Sequence, residues 1–342
     1  MGDRWRRTRV MIFADLLRAA AVAGLAFAPL REPLWALLVL VALFGIGEGI
    51  FQPTFGAVVP RVLPAHLLQP GNGLNAFSQQ LATVVGPGVA GVLVATLGVD
   101  AVLWLNAGTF LFSFATLVPI REAALAASGA ERVPGIRGAL RQVGGDLREG
   151  VAAVLGRPWL AATLGVITAV MVLVTAPSLV VLPVEARERL GGAEAYGWTL
   201  AAMGVGALAG SLAGGRIRAR RVGVVAIAGA LTIAGSVAGL ALLPLPGVLA
   251  AWAVGGAGVT LFNVLWATAM QRDVPEHLLA RVMALNWFGI QGLMPLGYAL
   301  AGPAVAAFGS RAVLLAGAVL ALVVTPLPLL VRGGATFSSR EP

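Results

Sequence analysis

Arg61-Val-Leu-Pro64-Ala-His66-Leu-Leu68 returns as Arg272-Asp-Val-Pro275-Glu-His277-Leu-Leu279, 211 residues further on. The same offset sets Leu74, Asn75, Phe77 and Gln80 on Leu285, Asn286, Phe288 and Gln291. It sets Gly86, Gly91 and Gly98 on Gly297, Gly302 and Gly309, and Gly45, Gly47 and Phe51 on Gly256, Gly258 and Phe262. A chain rich in Gly and Leu produces scattered coincidences, but not an Arg-Pro-His pattern in register with them. The chain is therefore built from two copies of one large unit, far longer than the period of a solenoid repeat.

What surrounds the repeat is apolar. Of 342 residues, 58% are hydrophobic and 11% charged, against about 25% charged in an average soluble domain. Ten segments are long enough to cross a bilayer: 10–29, 34–56, 74–97, 99–119, 158–183, 195–214, 222–243, 248–270, 282–308 and 312–331. The expected fold class is an all-α polytopic membrane protein. Residues 1–119 would form an N-terminal bundle of four helices, 120–157 a linker, and 158–342 a six-helix bundle. Within the linker, Leu140, Val143, Leu147, Val151 and Val154 recur at helical spacing, which predicts an amphipathic helix lying on the inner membrane face.

All 24 basic residues are Arg. With the N-terminus taken as cytoplasmic, nineteen fall in inner loops and four in outer ones, Arg18 lying alone within a span. That asymmetry predicts a multi-pass protein of the cell membrane with both termini inside. Trp35, Trp104, Trp198 and Trp252 fall near outer ends, where an aromatic belt would lie. The net charge of +9 is explained by loop placement, so a nucleic-acid partner is not expected. Both Pro-x-His-Leu-Leu loops lie on the same side, so the two copies are parallel repeats related by an axis along the membrane normal, an arrangement found in transporters. His66 and His277 follow Pro at helix starts and read as helix-start residues.

A second echo sits at the N-terminus. Asp3-Arg4-Trp5-Arg6-Arg7-Thr8-Arg9 aligns with the turn Gly214-Gly-Arg216-Ile-Arg218-Ala-Arg220-Arg221 at nearly the same offset. Two spans precede the second turn and none precedes the first, so the expectation is that two helices are missing from the first repeat.

Residues 2–9 resemble the later part of the loop signature Gly-x-Leu-Ala-Asp-Arg-x-x-Arg-Arg of the major facilitator superfamily, with Asp3, Arg4 and Arg7 as its gating-loop residues. Gly214, Arg216 and Arg220 form the weaker echo, which lacks the Asp. Gly86-Pro87-Gly88-Val89-Ala90-Gly91 resembles the Gly-Pro-x-x-Gly-Gly signature of drug–proton antiporters, with Ala90 in place of one Gly. Asp15-Leu-Leu-Arg18-Ala and Leu293-Met294-Pro295-Leu296-Gly297 look like an exporter branch that contains siderophore (enterobactin-type) and macrolide-type efflux proteins. The resemblance implies a major facilitator fold of twelve helices, of which about ten are present here. Gly86, Pro87 and Gly91 would let helices approach closely and bend.

Three ionisable residues lie well inside spans: Asp15, Arg18 and Glu48. Such residues mark a pathway or a buried pair. Arg18 and Glu48 are each eight residues from the inner end of their segments, about 12 Å deep at 1.5 Å per residue. Asp15 lies on the same face as Arg18. Two readings stay open at this point: Glu48 carries a proton while Arg18 tunes it, or the trio is an ion-pair network that staples two helices. The resemblance makes 34–56, 158–183 and 248–270 cavity-lining, with Gln52, Thr168, Thr175, Thr260, Asn263 and Trp266 as candidate contacts for a small molecule.

With no Cys and no Lys, thiol chemistry, disulfides and a Lys-bearing phosphate loop are excluded. The sequence offers no metal site, no cofactor motif and no nucleophile–base pair, so an enzyme is not expected. The reading is a monomeric secondary transporter in the lipid bilayer, exporting small amphipathic molecules of drug or siderophore type against protons by alternating access. The alternative reading is a truncated, transport-inactive membrane protein with a structural or interaction role.

Overall fold

In a computed structural model, residues 7–27, 29, 33–119 and 136–339 are described. Among them the chain is helical, in the order α1 (Arg7–Ala26), α2 (Leu34–Val62), α3 (Leu68–Leu97), α4 (Val99–Leu117), α5 (Ile136–Leu155), α6 (Pro158–Val170), α7 (Ala176–Glu188), α8 (Ala193–Arg216), α9 (Val222–Leu242), α10 (Leu245–Asp273), α11 (Glu276–Trp287), α12 (Met294–Phe308) and α13 (Ser310–Val324). Two π-helical turns, Met171–Thr175 and Phe288–Gly292, join α6 to α7 and α11 to α12, so each pair crosses as one bent segment. Eight described segments are long and apolar enough to span a membrane. α1 carries Arg9, Asp15 and Arg18 along its length, and α3 is polar in its first half, at Gln69, Asn72, Asn75, Gln79 and Gln80, and apolar in its second.

Helix ends depart from the hydropathy boundaries in two places. α3 begins at Leu68 and not near residue 74, because the short 3-10 turn Ala65–Leu67 leads straight into it. α2 continues to Val62 through Pro53 and Pro60, since a transmembrane helix tolerates Pro where neighbours satisfy the freed carbonyls. Glu48 is therefore at the middle of a 29-residue helix, deeper than the apolar segment alone suggests.

The helices form two compact units. The first holds Met1–Pro64, Val85–Gly150 and Pro275–Trp287; the second holds Ala65–Val84, Val151–Val274 and Phe288–Pro342. Each thus takes a helix start from the opposite repeat, and the two exchanged pieces are repeat equivalents, since both begin at the Pro-x-His-Leu-Leu element.

In the first unit α1 packs along α2 and α4, and α11 lies against α2. A Cβ on Gly56 would stand 3.3 Å from Met283 Sδ. α5 turns its acidic face inward: Arg281 of α11 donates to Asp146 Oδ1 at 2.8 Å and Glu149 Oε2 at 2.6 Å. Leu147, Val151 and Leu155 are exposed and Val154 is buried. Leu140 and Val143 lie outside the residues whose side chains are described.

In the second unit the core runs through Val174, Leu182, Val237, Leu240, Val248, Trp252 and Leu314. Trp35, Trp104 and Trp198 are exposed, as a belt requires, but Trp252 is 4% exposed. The expectation for Trp252 fails because its face of α10 packs on α9, leaving the indole in the core. Small residues bring these helices together: a Cβ on Gly206, Gly210 or Gly256 would fall on the backbone of the facing helix of the α8–α10 pair.

Candidate functional site

The site is built where α1, α2 and α4 cross, all in the first unit. Glycine at position 47 lets α1 lie close enough for a long side chain to pass beneath it. That side chain is Arg18. One guanidinium nitrogen donates to Glu48 Oε2 at 2.7 Å and another pairs with Asp15 Oδ1. Ser113 of α4 donates its hydroxyl to Asp15 Oδ2 at 2.7 Å. Gln52, one turn after Glu48, donates to Glu48 Oε1 at 2.5 Å. Phe51 and Phe110 close the remaining faces, with the guanidinium carbon 4.0 Å and 4.7 Å from their ring centroids.

Burial divides the two acids. Asp15 is 0% exposed, while the Glu48 side chain is 40% exposed. Asp15, closed off from solvent, accepts from both Arg18 and Ser113, while Glu48 keeps one flank open. Arg18 Nε is buried with no hydrogen-bond partner, a donor held among apolar atoms by the geometry of the rest. Asp15, Arg18 and Glu48 thus do meet as their helical positions imply, and Gln52 joins them.

Ser113 escaped the sequence reading. Its signal was a ladder of short polar residues on α4, Asn106, Thr109, Ser113 and Thr116, spaced three or four apart. The ladder is unusual in an otherwise apolar span.

The remaining candidates are dispersed. Thr168 sits beside the π turn of the α11–α12 segment, where a Cβ on Gly289 would stand 2.5 Å from its hydroxyl. Thr175 ends the facing π turn, its hydroxyl oxygen buried without a partner. Thr260 is half-buried and Asn263 exposed on α10. Trp266 is 2% exposed, packed with Phe262, Trp159 and Phe337. As a substrate contact it is corrected, because those rings cover it. Gly86 and Pro87 lie within an unbroken α3. Nothing stands within 4 Å of a Cβ at Gly86, so the close approach expected there is not made. The side chain of Pro87, the surroundings of Gly91, Asp3, Arg4 and the side chain of Arg7 lie outside the described residues.

Gly214 has a clear place. Gln69 of α3 donates to its carbonyl at 2.8 Å and also to the Ile217 carbonyl, while a Cβ on Gly73 would stand 2.7 Å from Gly215 Cα. Arg216 and Arg220 beside it are exposed. One turn along α3, buried Asn72 donates to Thr268 Oγ1 at 2.9 Å and Gln271 Oε1 at 2.7 Å. Gln69 and Asn72 lie ahead of the apolar segment that begins at residue 74, and so went unnoticed in the sequence.

Residues 1–297 match the profile of the Major Facilitator Superfamily. The multidrug efflux pump Tap of Mycolicibacterium fortuitum is 30% identical over 326 residues, covering 92% of this chain and 77% of that protein. Macrolide efflux protein A of Enterococcus faecalis is 28% identical over 119 residues, 34% of this chain and 37% of that protein. Among solved structures, a bacterial homologue of the iron transporter ferroportin in its outward-facing state superposes with a TM-score of 0.70 at 18% identity, covering 96% of this chain and 85% of that one. The transporter FucP in its outward conformation gives 0.68 at 14% identity, covering 96% and 84%.

Proposed function

The chain belongs to the Major Facilitator Superfamily, and from that footing we propose that this membrane transporter exports small amphipathic molecules in exchange for protons by alternating access. The efflux-pump names of its relatives support the direction and the substrate class. The observation that carries the coupling is the open flank of Glu48 within an otherwise buried cluster. Arg18 holds Glu48 in place when it is ionised, and Gln52 keeps its other oxygen in the network. When Glu48 is protonated, Asp15 retains Arg18 and Ser113, so the buried charge stays paired through the cycle.

Amphipathic cargo calls for apolar contact with a few polar groups; on this reading Gln52 in the first unit, and Thr168, Thr175, Thr260 and Asn263 in the second, are each taken as a polar contact within its own unit. Alternation needs contacts that form in one state and break in another. On this reading Asn72 with Thr268 and Gln271, and Gln69 with the Gly214 carbonyl, break and re-form through the cycle. The Arg asymmetry favours both termini in the cytoplasm.

Efflux of a panel of lipophilic dyes and antibiotics from cells expressing the protein tests the proposal. Efflux that a protonophore abolishes is the expected result. Retention of every probe, or efflux indifferent to the protonophore, sinks the proton-coupled reading.

A further inference from the structure

The segment after α13 does not trail away. Gly333 adopts φ +80° and folds the chain back towards the start of α9. The Val224 amide donates to the Ala335 carbonyl at 3.2 Å. Gly223 makes room for this: a Cβ there would fall on the Gly334 carbonyl oxygen and within 2.8 Å of the Ala335 carbonyl carbon. Phe337 then enters an aromatic cage, stacked on Trp159 with centroids 5.4 Å apart and edge-on to Trp266 at 5.6 Å. Its ring is 2% exposed. Beyond it, Ser339 caps Asp273 twice, by its amide to Oδ1 at 3.0 Å and its hydroxyl to Oδ2 at 2.6 Å. The Trp159 indole N–H donates to Asp273 Oδ2 at 3.2 Å and Ser339 Oγ at 3.1 Å. Arg157 Nε lies 3.6 Å from the same carboxylate.

One detail shows that the slot shapes the segment. Phe337 has φ +52°, the only left-handed non-Gly residue among those described. A side chain there costs about 1–2 kcal/mol and persists only where the surroundings over-determine it. Two of the slot's residues have different equivalents in the first repeat. Asp273 is matched by Val62 and Trp266 by Phe55, and the stacked pair Phe51–Phe55 lies beside Arg18 instead.

We propose that the second unit carries a peptide-binding slot, formed by Gly223, Trp159, Trp266 and Asp273, and that Gly333–Ser339 is its resident ligand. The ligand chemistry is a small-residue turn, one aromatic ring and a hydroxyl residue that caps a carboxylate. Seated, it straps together the first turns of α6 and α9 and the last turns of α10. The assignment is independent of the transported substrate.

Trypsin reads the strap directly, because Arg332 is exposed and immediately precedes it. Full-length protein in native membranes is digested, and mass spectrometry follows the peptide that begins at Gly333. Arg218 and Arg220, exposed in the turn before α9, serve as the internal reference. Phe337→Ala empties the cage from the ligand side. Gly223→Ala obstructs the slot from the helix side, in a helix that accepts Ala readily. Each variant is expected to speed cleavage after Arg332 at least tenfold with the reference unchanged. Cleavage at the wild-type rate in both variants overturns the slot. So does a parallel rise at Arg218 and Arg220, which would report general loosening.

Discussion

A Cβ on Gly47 would stand 2.6 Å from Cγ of Arg18 and 3.2 Å from the Ala14 carbonyl oxygen. The glycine is the doorway through which the arginine reaches Glu48. Its repeat equivalent Gly258 makes the same crossing over Thr232 and the Gly229 carbonyl. The second repeat thus keeps the close helix pair and carries no charge there. The repeat supplied the geometry, and one copy placed ionisable groups in it.

Gly47→Ala is accordingly expected to displace Arg18 and cut efflux several-fold. Gly45→Ala, where nothing stands within 4 Å, is expected to leave efflux intact and to stabilise the helix slightly, by up to about 1 kcal/mol. Paired efflux rates and melting temperatures of the purified variants check both.

Glu48→Gln keeps the shape of the side chain and the contact with Gln52 but removes the carboxylate. The expected outcome is normal protein in the membrane with protonophore-sensitive efflux lost. A collapse in protein amount would instead show that the ion pair is a staple.

Arg18→Ala leaves Asp15 buried beside Ser113 with no counter-charge. Breaking a buried pair in this way costs about 3–5 kcal/mol, so a large drop in melting temperature is expected. Asp15→Asn combined with Arg18→Met removes both charges and is expected to recover much of that loss without restoring efflux.

Asn72→Ala removes one buried hydrogen bond from each of Thr268 and Gln271, while Thr268 keeps its bond to the Val264 carbonyl. Each such bond is worth about 0.5–1.5 kcal/mol. Melting curves should show a loss of that order, and the variant should label faster at a cysteine introduced at Thr268, a clean readout in a chain without native Cys.

Much of this was written in the residues. Hydropathy found the long helices, and the Arg-Pro-His echo found the repeat. Helical spacing and depth alone brought Asp15, Arg18 and Glu48 together. Four things were hidden, each for a physical reason. Ser113 contributes through a neighbouring helix, and pairing across helices leaves no local pattern. Gln69 and Asn72 sit on a helix start too polar to read as a span. Trp252 reads as a belt residue and Trp266 as a cavity contact until the neighbours that cover them are known. Phe337, over 60 residues from Trp266 in sequence, offered no hint of where it lands.

The charge cluster also has an electrical consequence. Asp15, Arg18 and ionised Glu48 sum to one negative charge, and protonating Glu48 makes the cluster neutral. If one proton enters per molecule expelled, export of a neutral molecule moves one positive charge inward and draws on the membrane voltage, worth about 2.3 kcal/mol per 100 mV. Export of a monovalent cation moves no net charge, and the pH difference alone must drive it. The same carboxylate would then run on two power supplies, chosen by the charge of its cargo.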